Sequence, residues 1–176
     1  EGTSFAGGYE TVLGVTFETI EVAVVRAFAS CLDYRVFVYK KENGFDIHAP
    51  KIAVVVQRQI ASETAGVGFS INPLNNSFDQ AVINSNWGLG ESVVSGTVSP
   101  DTFVVDKNAL RIIQYTIGKK EKAIWLDFTG GTHEESNFKS NERTLSDKEV
   151  IELCELIRKV ECIYGRPMDI EWAFSK

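Results

Sequence analysis

The sequence predicts an α+β fold: a mostly antiparallel meander of strands with two main helices. Three observations predict it. Two stretches, one near each end, carry apolar residues at helical spacing. Between them lies a series of short β-branched and aromatic segments punctuated by Gly, Pro and Asn. No internal repeat is visible, so a solenoid or propeller is not indicated.

The elements follow in order. Glu1 to Gly14 is rich in glycine and small residues and reads as a loop. From Phe17 to Cys31 the residues Ile20, Val24, Ala27, Phe28 and Cys31 share one helical stripe. Asp33 to Asn43 suits either a helical extension or a strand, and Gly44 and Pro50 then break the pattern. Ile52 to Ile60, "IAVVVQRQI", is a β-branched run of strand length and is expected to be a buried strand. Further strands are expected at Gly66 to Ile71, Ala81 to Asn86, Thr102 to Asp106, Ile112 to Thr116 and Ala123 to Phe128, with a turn at Asn72 to Ser77. The polar stretch from Phe128 to Arg143 is expected to be a mobile excursion. Ser146 and Glu149 have the spacing of a capping box, and Val150, Leu153, Cys154, Ile157 and Val160 form one apolar face, so a helix is expected from Ser146 to Tyr164. Gly165 and Pro167 end it, and Met168 to Phe174 alternates as a last strand.

Composition narrows the function. A chain of 176 residues is one domain or two small lobes of one. A net charge of −6 argues against nonspecific nucleic-acid binding, which needs a basic surface, but leaves room for a polyphosphate held by local donors and a metal. The odd set Cys31, Cys154 and Cys162, with no CxxC, argues against a disulfide framework or zinc site and fits a reducing cytoplasm. No apolar run is long enough for a membrane span. The chain starts at Glu1, so it is expected to be an excised piece whose parent could carry signals not visible here.

Four segments could carry chemistry. "SFAGGYET", Ser4 to Thr11, can bring backbone amides and the Thr11 hydroxyl to a phosphate; on its own it also reads as a structural turn. "GLGESVVSG", Gly88 to Gly96, is not a dinucleotide fingerprint and by itself reads as a tight turn against a sheet. "VVVQRQI", Val54 to Ile60, could present its backbone to a flat base, or be a core strand with an exposed edge. In "DIEW", strand alternation puts Asp169 and Glu171 on one side and Ile170 and Trp172 on the other; the two carboxylates suit a hard cation such as magnesium, or simply a solvated face. His48 and His133 lie in polar stretches and read as surface residues.

Taken in order, "SFAGGYETVLGV", "VVVQRQI", "AGVGFSINP", "GLGESVVSGTVSPDTFVVDK" and "YGRPMDIEWAF" resemble the nucleotide-binding region of phosphoenolpyruvate synthases and the related rifampicin phosphotransferases, over nearly the whole chain. The resemblance implies that residues 1–176 are the later part of an ATP-grasp-like domain that holds ATP and magnesium. It implies phosphoryl transfer to a histidine on a separate domain and then to pyruvate, or to a rifampicin-like acceptor, at a third. By the same resemblance Gly7 and Thr11 are phosphate-loop contacts, Gln57 is a nucleotide contact, Gln59 and Ile60 lie beside the adenine, and Glu171 is the magnesium ligand. Gly88, Gly90 and Glu91 match a family signature to which no direct role is assigned. Two positions depart from the family pattern: Gly8 stands where a Gln is usual, and Gln59 where a Met is usual. The family's upstream lysine and Arg-Ser-Ser segment, its downstream Gln-x-Arg-Pro segment and its phosphohistidine domain have no counterpart in these residues, so the isolated chain is expected to be inactive. A binding or interaction module that kept the fold without the chemistry is the alternative of a different class.

Overall fold

The structure is a computed structural model and describes residues 7–48, 51–136 and 139–175. The described part of the N-terminal loop is irregular up to helix α1, Ile20–Ala29. A 3-10 turn, Ser30–Leu32, and helix α2, Tyr34–Glu42, follow. The ambiguous segment after Asp33 is therefore helical, because the Asp33 side chain accepts from the Arg35 amide and caps it. The expected early helix is confirmed in α1, but its apolar stripe is only partly covered: no residue of α1 is buried.

Five strands form one sheet: β1 (Thr64–Phe69), β2 (Gln80–Trp87), β3 (Asp101–Asp106), β4 (Arg111–Thr116) and β7 (Asp169–Phe174). Its order is β4-β3-β2-β1-β7, and every neighbouring pair is antiparallel. Strands β5 (Lys122–Leu126) and β6 (Thr132–Ser136) form a second, two-stranded sheet. The short helix α3, Glu91–Val94, follows β2, and α4, Asp147–Tyr164, precedes β7.

Helix α4 begins where the sequence places it. Both halves of the capping box form: the Glu149 amide donates to the Ser146 hydroxyl, and the Glu149 carboxylate accepts from the Ser146 amide at 2.7 Å. It ends at Gly165, whose φ of 65° lies in the left-handed region that stops a helix. Its inner face supplies Val150, Leu153, Cys154 and Ile157 to the core, against Ala81, Ile83, Phe103 and Val105 of the sheet. Ile170, Trp172 and Phe174 of β7 pack against the same cluster.

Two expectations are corrected. Residues 52–60 belong to no strand, and Val55 and Val56 are 81% and 64% exposed. A β-branched run becomes a strand only when a neighbouring edge pairs its amides and carbonyls, and no described strand pairs with this one. The stretch from Phe128 to Arg143, expected to be an excursion, contains β6. All five residues of β6 are exposed, so no apolar alternation marks it in the sequence.

The chain divides into two compact units. The first comprises residues 1–59 and 127–132; the second comprises residues 60–126 and 133–176 and holds the five-stranded sheet, α3 and α4.

Candidate functional site

In the second unit, β7 settles which way the two carboxylates of "DIEW" face. Ile170 and Trp172 pack toward α4, so Asp169 and Glu171 lie on the opposite side of the sheet, and both are exposed. Strand register places Glu171 beside Val67 of β1, Val67 beside Asn84 of β2, and Asn84 beside Thr102 of β3. The Thr102 hydroxyl donates to the Asn84 side-chain oxygen at 3.0 Å, so the far end of this row, beyond Val67, is polar. Asp169 starts a second row through Phe69, Val82 and Val104.

This face is the floor of a groove of about 490 Å³, lined by Asp169 and Glu171 together with Val67, Phe69, Val94 and Val98. One wall comes from the "GLGESVVSG" segment. The Gly88 amide donates to the Glu63 carbonyl and the Leu89 amide to the Ile124 carbonyl, both at 2.7 Å, which ties the turn to the residue before β1 and to β5. Buried Ser92 accepts from the Asn86 side chain at 2.9 Å, and the same Asn86 nitrogen reaches the Lys122 carbonyl. Helix α3 is thereby fixed with Val93 and Val94 toward the groove and Glu91 exposed in its first turn. The later part of the "GLGESVVSG" segment, Val93, Val94 and Gly96, and the carboxylate strand thus meet at one groove.

A buried ion pair steadies the segment around Pro100 that completes the lining. Asp101 and Lys120 are both fully buried, with the ammonium 2.6 Å from the carboxylate. The same carboxylate accepts from the Gly118 amide and from the amide and hydroxyl of Thr144. A charge taken out of water needs such full pairing, and these bonds tie two loops, one at Gly118 to Lys120 and one at Thr144, to the start of β3.

The first unit carries the other sequence-predicted residues. Gly7 is exposed, with φ 70° and no neighbour where a side chain would stand. Thr11 and Gln57 are exposed. The Gln59 carboxamide oxygen accepts from the Gly14 amide at 2.8 Å, so this group is engaged with backbone. Ser4 to Ala6 of the glycine loop lie outside the described residues. Ile60, at the start of the second unit, is 53% exposed. His48 and His133 are exposed, as expected.

A magnesium ion typically takes one or two protein carboxylates and completes its shell with water and phosphate oxygens. Glu171 with Asp169, on one open face, is a donor set that fits this habit. Among the described residues no group of three or more His, Cys, Asp or Glu forms a protein-only cage. Asn84 and Thr102 were not foreseen as sharing a cross-sheet row with Glu171; the outward positions of "INSNW" hint at polarity, but only the register puts them in that row, beyond Val67.

The fold is an antiparallel sheet backed by a long helix, with an open groove that carries two carboxylates. The profile of the pyruvate phosphate dikinase AMP/ATP-binding domain matches residues 1–176, and the chain belongs to that family. It is 40% identical to a probable phosphoenolpyruvate synthase of Methanocaldococcus jannaschii over 98% of this chain and 15% of that protein. It is 42% identical to the protein named uncharacterized phosphotransferase YvkC of Bacillus subtilis, over 99% of this chain and 21% of the relative. The phosphoenolpyruvate synthase of Pyrococcus furiosus is 36% identical over 98% of this chain and 22% of its own length. The chain therefore spans 15% to 22% of the length of these relatives. Among the described residues no helix is long and apolar enough to cross a membrane.

Proposed function

We propose that this chain is the ATP- and magnesium-binding part of a phosphoenolpyruvate synthase-type dikinase working in the cytoplasm. The observation that carries the reading is Glu171, held by β7 on the open face of the sheet, with Asp169 on the same side and Val93, Val94 and Gly96 walling the groove. The whole reaction under this reading converts ATP, pyruvate and water to AMP, phosphoenolpyruvate and phosphate through a phosphohistidine on another domain. Glu171 and Asp169 would hold a magnesium ion, which would supply neutralisation of the phosphate charge. This chain's own residues orient the polyphosphate. Gly7 and Thr11 offer an amide and a hydroxyl to it, Gln57 and Ile60 flank the nucleotide, and the carboxylate of Glu171 supplies a fixed negative charge toward the cation. Positioning and charge neutralisation make up most of what phosphoryl transfer asks of a protein.

The test is a pair of substitutions in the full-length protein. Glu171→Gln keeps the shape and removes the charge, and it is expected to lower ATP-dependent phosphorylation by on the order of a hundredfold or more, a loss of the size seen when one transition-state charge contact is removed. Asp169→Asn is expected to be milder. The opposite ranking, or normal activity of Glu171→Gln at limiting magnesium, sinks the assignment. The YvkC relationship favours a second reading, in which the same nucleotide module serves a phosphotransferase with a different acceptor, such as a rifampicin-like compound. AMP formation by the full-length protein that depends on pyruvate supports the first reading; dependence on the drug instead supports the second.

A further inference from the structure

Three segments far apart in sequence meet in the first unit at Gly14. The Gly14 amide donates to the Gln59 carboxamide oxygen at 2.8 Å, and its carbonyl accepts from the Gly131 amide at 2.7 Å. The Gly131 carbonyl in turn accepts from the Asp127 amide, which closes the 127–131 turn. Both backbone polar groups of Gly14 are thus engaged, one by a side chain and one by a turn more than a hundred residues away. The approach is so close that a Cβ at Gly14, where φ is 65°, would fall on the Gly131 carbonyl. A Cβ at Gly130 would stand 2.6 Å from the Thr16 methyl group.

The clasp sits at one end of the segment that carries Thr11. At the other end Glu10 pairs with Arg26 of α1. Beyond the clasp, the Thr16 amide donates to the Thr19 hydroxyl at 3.0 Å and sets the entry to α1. Thr11 therefore lies between two tethers. The exposed Glu10–Arg26 pair is a weak one, since both partners are solvated. The part-buried Gly14 contacts are the firmer of the two.

We propose that Gln59 is a positioning residue: its side-chain oxygen, together with the Gly131 amide, holds Gly14 and so presets the loop that offers Thr11 to a polyphosphate. This rests on the nucleotide-binding reading above. It gives Gln59 a different task from direct contact with the base. A donor such as the Gly14 amide needs an acceptor, and the carboxamide oxygen is the only strong acceptor on a Gln side chain. Ordering a loop before the ligand arrives removes part of the entropy cost of binding, so the effect falls on the phosphate end of the nucleotide.

The experiment uses the full-length protein and two ligands, ATP and adenosine, titrated calorimetrically into wild type and Gln59→Met. Met matches Gln in length and lacks a strong acceptor. The expected result is ATP binding weaker by on the order of tenfold, the worth of about one hydrogen bond, with adenosine binding unchanged. Hydrogen exchange of a peptide spanning residues 10–16, without nucleotide, is expected to be faster in Gln59→Met and near wild type in Gln59→Glu, which keeps an acceptor oxygen. Equal weakening of ATP and adenosine overturns the proposal in favour of base contact. Unchanged ATP binding, or unchanged exchange at residues 10–16, overturns it as well. A wild-type protein that binds no ATP overturns the underlying reading itself, an outcome that the substitution does not need to reveal.

Discussion

The two units of the chain were written in similar apolar residues and use them differently. In the second unit Phe103, Ile83, Val105, Leu145, Val150, Cys154 and Ile157 are all buried in one cluster between sheet and helix. In the first, only Ser30, Val36 and Lys40 are buried among the described residues, while Phe17, Val22, Leu32 and Val55 are 90%, 71%, 72% and 81% exposed. The difference lies in closure. The second unit has a sheet face and a long amphipathic helix whose stripes match, so burial completes itself. The first has two short helices and an extended run, with no described strand pair to lay them on. Apolar spacing states which side of a segment can be buried; burial also needs a second surface.

That contrast yields predictions of graded size. Phe103→Ala should cost about 3–5 kcal/mol, because a fully buried ring leaves a cavity, whereas Val36→Ala in the first unit should cost roughly 1.5 kcal/mol or less. Urea unfolding followed by separate probes in each unit measures both; equal costs would erase the distinction. Asp101→Asn should destabilise the second unit by about 3 kcal/mol, since it leaves the Lys120 ammonium buried without its counter-charge. Recovery of stability in the double variant Asp101→Asn, Lys120→Met would show that the loss is the orphaned charge. Ser146→Ala should cost about 1 kcal/mol through the lost cap of α4. A loss near zero would mean that packing alone holds that helix end.

The smallest effect concerns thiol chemistry. Desolvation by burial pushes the Cys154 thiol from the ordinary value of 9.0 up to about 11. The folded state therefore favours the protonated thiol. Its contribution to stability is whole below about pH 9 and is lost as pH rises toward 11. At pH 8 a thiol reagent should label exposed Cys162 readily and Cys154 only on unfolding of the second unit. Labelling of Cys154 at the rate of Cys162 in folded protein would show that the core is less closed than the buried cluster indicates.

Much of the second unit was legible in advance. Ser146 and Glu149 marked the start of α4 and Gly165 its end, because capping and left-handed termination are decided within a few residues. Strands β1 to β5 and β7 announced themselves by β-branched runs and turn residues, to within two residues at most of their ends. The alternation of Asp169 and Glu171 against Ile170 and Trp172 was readable for the same reason: a strand's period is local. The run at 52–60 misled because its composition satisfies a strand while the pairing that makes one is not local. Strand β6 was invisible because an exposed polar strand has no apolar signature.

The sequence by itself thus determined helices α1 and α4 with the caps of α4, strands β1 to β5 and β7, and the family to which the ordered motifs belong. Only the tertiary structure decided which segments stand together: Glu171 and Asp169 with Asn84, Val93, Val94 and Gly96 at one groove, and Gly14 between Gln59 and Gly131. The physical reason is range. Dihedral preferences, capping and side-chain alternation act over a few residues and are written in the chain. Register between strands and a backbone-to-backbone approach across more than a hundred residues depend on how the packed surfaces meet, and no local stretch of sequence contains that.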